Sequence, residues 1–227
     1  RGFHQMQERL LSPMDDIHRL RFDEVEEDEF VLWAVFEGIM CANDARSATT
    51  QSGLDDLRHF EQWSPARRAR ALGWYRACLL KKVQREPGTP GDPVWVVSKN
   101  PAFTHKVGAL RGVFPDARFV YLVRNPLQAV PSRLSLIRAI WRQRFPGFGE
   151  MTPAQVETIY ADSKRNYLAA ERDLPGLPDG HQLTLRYDDL VAAPRGAVHR
   201  IYDTLGLPGP DGALEAALDA AESRVRE

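Results

Sequence analysis

A chain of 227 residues is long enough for one domain with a sizeable core. Its 30 Lys+Arg against 31 Asp+Glu leave a net charge of −1, which excludes the broad positive field of a non-specific nucleic-acid or anionic-membrane binder, so any anion must be held by a local cluster. The two cysteines, Cys41 and Cys78, lie far apart, which argues against a disulfide scaffold and fits free thiols in a reduced, cytoplasmic setting.

Residues 1–90 read as mainly helical. The longest apolar stretch, FVLWAVFEGIMCA from Phe30 to Ala42, is too short to span a bilayer and carries Glu37, so it predicts a buried helix rather than a transmembrane segment. Its acidic lead-in, EEDEF, suits a helix N-terminus. In SPARRARALGWYRACLLKKVQRE, Ser64 is an N-cap candidate and Pro65 a first helical residue, with Ala71, Leu72, Tyr75, Leu79 and Val83 at helical spacing. The basic run Arg67 to Arg70 is then the solvated face of that helix.

A Pro/Gly-rich loop, EPGTPGDP, ends this front, and the grammar changes. Val94 to Lys99 (VWVVSK), Arg118 to Val123 (RFVYLV) and Gln182 to Tyr187 (QLTLRY) have the length and β-branched content of strands. Helical patterns separate them at HKVGALRGVF, PSRLSLIRAIWRQ and AQVETIYADSKRNYLAAERDL, and another follows at PRGAVHRIYDTLG. Strands alternating with helices predict an α/β fold with a parallel sheet covered on both faces, whose ligands bind off the carboxyl ends of the strands.

Each predicted strand ends on a cation: Lys99, Arg124, and Arg186 beside Tyr187. Pro126 and Pro131 predict a helix start after Arg124, which would put Ser132 near a helix N-terminus. A guanidinium fork, a hydroxyl and free helix amides together suit a phosphate. The same residues also allow a purely structural arrangement, in which Arg124 pairs with an acid such as Asp188 and Ser132 caps the helix.

FPDARFVYLVRNPLQAVPS resembles the 3′-phosphate-binding segment of sulfotransferases, in which a strand ends in Arg and a Ser follows eight positions later, as Arg124 and Ser132 do. WVVSKNPAFTHKVGALRG is similar to the LKSPxH strand and following helix of the bacterial and carbohydrate-type branch of that family. RYDDLVAAPRGAVHRIYDTLGLP is similar to its YEDL strand and LGLP turn, and VEEDEF near Val25 to its acidic segment. The resemblance implies a P-loop-like α/β fold and transfer of a sulfonyl group from 3′-phosphoadenosine 5′-phosphosulfate to a hydroxyl or amine. It implies that Arg124 and Ser132 hold the 3′-phosphate with Arg186 and Tyr187 on the same side, Tyr187 near the adenine, and that Lys99 faces the transferring group. Sulfuryl transfer, like phosphoryl transfer, depends on in-line positioning and on cations at developing negative charge, so a strand-end lysine suits that role.

The sequence departs from the family pattern in two places. The family's PRSGTT-type loop for the 5′-phosphosulfate has one local lookalike, ARSATT from Ala45 to Thr50. It lacks the glycine that lets backbone amides approach a phosphate, and it follows the acidic segment instead of preceding it, so it is read as coincidence. Because the chain opens on Arg1 and stops at Glu227 inside a helical pattern, a piece of a longer protein is expected, with the loop upstream of Arg1. The second departure concerns the general base. The KSPxH histidine position is occupied by Phe103, and His105 lies two residues on; His105, Glu27 and Glu26 are the candidates.

The remaining histidines show no HxxxH or HExxH spacing, so no metal is expected. The expected organisation is a single sulfotransferase-like domain over residues 1–227. Residues 1–90 would form the helical acceptor side and residues 94–207 the α/β core with the 3′-phosphate site. The expected partner is a small-molecule, carbohydrate or lipid acceptor, with no nucleic acid; oligomeric state is unreadable. Two alternatives stand beside the enzyme reading: a non-catalytic nucleotide-binding or interaction module on the same fold, and a nucleotide kinase, which the absence of GxxxxGK[ST] disfavours.

Overall fold

The computed structural model describes residues 28, 31–32, 35, 55–85, 94–144, 147, 149–209 and 211–225. Outside these residues lie ARSATT, Glu26 and Glu27 of the acidic segment, most of the helix predicted over Phe30 to Ala42, and the loop predicted from Glu86 to Pro93. Cys41 also lies outside them, and Cys78 is a free thiol.

The first long helix, α1, spans Pro65–Arg85. Ser64 starts it as predicted, its hydroxyl accepting the Arg67 N–H at 3.3 Å, while Pro65 has no N–H to satisfy. Ala71, Leu72 and Tyr75 are buried with Leu57, Phe60 and Leu110, and Leu32 from the front segment joins the same core. The basic run is not wholly solvated, because Arg67 pairs with Asp56 and lies 3.9 Å over the Trp63 ring.

Residues 94–100 are a correction to the sequence reading. Predicted as a strand from Val94 to Lys99, they have no regular structure, and Val97 is 93% exposed. A β-branched run supplies propensity, but a strand exists through its ladder partner, and none is found among the described residues. The segment is held instead by side chains: Ser98 shares a 3.2 Å hydrogen bond with the Tyr75 hydroxyl, and the Arg118 guanidinium lies 4.9 Å from the Trp95 ring.

A 3-10 helix over Pro101–Lys106, capped by the Asn100 side chain on the Ala102 N–H, leads into α2 (Val107–Val113). Then β1 (Phe119–Val123) pairs in parallel with β2 (Gln182–Arg186), Phe119 opposite Gln182 and Val123 opposite Arg186. Between them run α3 (Pro126–Arg144) and α4 (Pro153–Asp173). Phe119 and Tyr121 pack on Val107, Ala170 and Leu174. On the other side α6 (Pro194–Leu205) lies against β2, whose Leu183 and Leu185 are buried. Gly206 ends α6 in a left-handed conformation at φ 57, where a side chain would be strained, and its carbonyl accepts from Arg118 at 2.9 Å.

Tyr187 is not the last strand residue, as the sequence suggested, but the first residue of a short helix, α5 (Tyr187–Ala192). The last helix, α7 (Gly212–Val225), is stapled to α6 by Arg195, which pairs with Glu215 and Asp219. The fold is α/β, mostly helical, with a small parallel sheet of two strands among the described residues. Among those residues no helix is long and apolar enough to cross a membrane.

Candidate functional site

The parallel pairing of β1 and β2 brings the ends of the two strands side by side. Arg124 follows the last residue of β1, and Tyr187 follows the last residue of β2. The Arg124 guanidinium carbon lies 4.9 Å from the Tyr187 ring centroid. A ring face supports a cation without neutralising it, leaving the guanidinium donors available. The other side-chain contact of Arg124 is a 3.5 Å hydrogen bond to Gln128 Oε1, so among the described residues no carboxylate offsets its charge. The alternative pairing with Asp188 is not what the structure holds: Asp188 lies 3.8 Å from Arg186, whose side chain is mostly solvent-exposed.

Ser132 is placed differently from the expectation. The helix begins at Pro126, six residues earlier, so Ser132 stands in the second turn and does not cap it. The capping residue is Asn125. Its side-chain oxygen accepts the Leu127 N–H at 3.0 Å, and its carbonyl accepts from the Gln128 and Ala129 N–H groups at 2.9 Å. Because these first-turn amides are already satisfied, the attraction of this helix end for an anion comes from its dipole and not from unused donors. Pro131 is inside the helix and cannot donate to the carbonyl one turn back, so α3 is weakened just before Ser132. The Ser132 side chain is exposed.

Behind the strand ends stands α4. The Tyr167 hydroxyl donates to the Arg124 carbonyl oxygen at 2.8 Å. One turn earlier, Ser163 accepts from Arg133 at 2.9 Å, and Arg133 is the residue after Ser132. Beside Ser163, Asp162 is 2% exposed and pairs with Arg58 and with Arg165, while Arg133 stands 4.0 Å away. A buried carboxylate among three guanidinium groups is satisfied by charge-assisted bonds from separate segments. Sequence reading missed this network because its members, at 58, 133, 162 and 165, are joined only by the fold.

Lys99 is exposed at the end of the irregular segment 94–100. His105 is 6% exposed and neighbours Phe60 at 6.5 Å between ring centroids. Both of its ring nitrogens are buried from solvent. Burial, followed by the adjacent Lys106 ammonium, holds its pKa down at about 3. Among the described residues there is no cluster of His, Cys, Asp and Glu able to hold a metal ion.

The chain matches omega-hydroxy-beta-dihydromenaquinone-9 sulfotransferase Stf3 of Mycobacterium bovis and of Mycobacterium tuberculosis with 33% identity over 122 residues, covering 49% of this chain and 29% of each relative. The matched region is therefore less than a third of the length of those proteins. No solved structure matches the chain. The model of the sulfotransferase family aligns with residues 4–211, taking in both strands, the Arg124 and Tyr187 pair and all of α1 through α6, and on that coverage the chain belongs to the sulfotransferase family.

Proposed function

We propose that the protein transfers a sulfonyl group from 3′-phosphoadenosine 5′-phosphosulfate to a hydroxyl acceptor, and that Arg124, Ser132 and Tyr187 hold the nucleotide end of the donor. The observation that carries this reading is the Arg124 guanidinium, stacked on Tyr187 at the carboxyl end of a parallel sheet with no carboxylate partner among the described residues. A 3′-phosphate would meet a fork of N–H donors there, with the exposed Ser132 hydroxyl on the following helix. Tyr187 would serve two partners, supporting the cation with its face and lying beside the adenine. Arg186, 3.8 Å from Asp188, stands at the end of the neighbouring strand.

The donor supplies an activated sulfonyl group. The protein's part is to fix the donor and to stabilise charge at the transferring centre, which is the role proposed for Lys99. Removal of the acceptor proton requires a base. His105, with its pKa at about 3, is a weak one, and Glu27 and Glu26 lie outside the described residues. The mycobacterial relatives act on an omega-hydroxylated dihydromenaquinone. That supports a hydroxyl on a lipid-like carrier as the acceptor class.

Ligand-linked stability tests the donor site without knowledge of the acceptor. Adenosine 3′,5′-bisphosphate should raise the melting temperature more than 5′-AMP at equal concentration, since only a ligand preferring the native state stabilises it. Equal shifts with the two nucleotides would contradict a 3′-phosphate site.

A further inference from the structure

We propose that Tyr167 is a positioning residue for the donor's 3′-phosphate, holding Arg124 at a separation from Ser132 that α4 sets; this rests on the donor-site reading above. Ser163 and Tyr167 are four residues apart, hence on one face of α4 in successive turns. From that face Tyr167 donates to the Arg124 carbonyl at 2.8 Å, and Ser163 accepts from Arg133 at 2.9 Å. One helix thus grips both elements that carry the proposed phosphate ligands, β1 through Arg124 and α3 through the neighbour of Ser132.

The two grips are rigid for separate reasons. The Ser163 hydroxyl is held at two points, donating to the Ile159 carbonyl at 2.8 Å while it accepts from Arg133. Asp162, 2% exposed, anchors the same turn to Arg58 and Arg165. The Arg124 carbonyl belongs to the planar peptide unit shared with Asn125, so fixing that oxygen fixes the plane at the junction of strand and helix. It therefore sets the direction in which the Arg124 side chain leaves the backbone. The phenol ring can pack without its hydroxyl, so Tyr167→Phe removes the tie and little else.

A double-mutant cycle separates positioning from simple support. Wild-type protein, Tyr167→Phe, Arg124→Ala and the double variant would be titrated with adenosine 3′,5′-bisphosphate and with 5′-AMP, and their melting temperatures compared. Tyr167→Phe should reduce the preference for the bisphosphate by about five- to tenfold, with 5′-AMP affinity and melting temperature near wild type. On the Arg124→Ala background it should cause no further loss. An unchanged preference in Tyr167→Phe, or an equal loss with and without Arg124, would overturn the proposal. If the wild-type preference depends on Arg124 and Tyr167 is silent, the positioning role alone falls. If the wild-type protein shows no preference, the donor-site reading falls and takes this one with it.

Discussion

Arg124 directly follows β1 with its charge supported by a ring face, and Lys99 lies near the end of the preceding irregular segment, exposed to solvent. The two cations are proposed for different work, which kinetics can separate. Lys99→Ala should lower kcat more than it weakens donor binding, because a cation acting on the transferring group is needed mainly in the transition state. A change confined to KM would count against that role. His105 has a different signature. Its native pKa of about 3 lies below the ordinary 6.5, so the unfolded chain takes up the proton first as the solution is acidified. Its contribution to stability is complete above 6.5 and is lost as pH falls from there toward about 3. The unfolding free energy should fall less steeply across that range in His105→Gln, by up to about 1.4 kcal/mol per pH unit. An acid limb identical to wild type would contradict this account of the buried imidazole.

Helix ends place the site. Asn125 starts α3 close behind β1, and Thr152 starts α4 with a reciprocal capping box, its hydroxyl accepting the Gln155 N–H while the Gln155 side chain accepts the Thr152 N–H. Thr152→Ala should cost about 1 kcal/mol in urea unfolding, and Thr152→Ser should retain most of it. An alanine variant as stable as the parent would mean the box contributes nothing. The long helices were legible in the sequence because periodicity and caps are local signals, as at Ser64 with Ala71, Leu72 and Tyr75. The pairing strands were legible to within a residue. Val94 to Lys99 was misread because strand formation depends on a partner, and that partner is not a local property. Two prolines, Pro126 and Pro131, both signal a helix start; the Asn125 cap makes Pro126 the first helical residue, which carries Ser132 into the second turn.

Across the whole molecule, charge is nearly balanced, so the cations proposed for the donor site act locally. Arg124, Ser132 and Tyr187 could be picked out as a group because the family's eight-residue spacing and the RYDD stretch are written in the chain. The contact between Arg124 and Tyr187 follows from the parallel register of β1 and β2. Tyr167 and Asp162 had no such mark. An isolated tyrosine and an isolated aspartate in a helical pattern acquire meaning only when α4 is laid behind the sheet and segments far apart in sequence converge on it. The central claim is that the strand edge holds a donor 3′-phosphate through Arg124. The most direct measurement is calorimetric titration of the wild-type protein and Arg124→Ala with adenosine 3′,5′-bisphosphate and with 5′-AMP. The account predicts that wild type prefers the bisphosphate by at least about tenfold and that the preference disappears in Arg124→Ala. Equal affinity for the two nucleotides, or a preference that survives loss of Arg124, would contradict it.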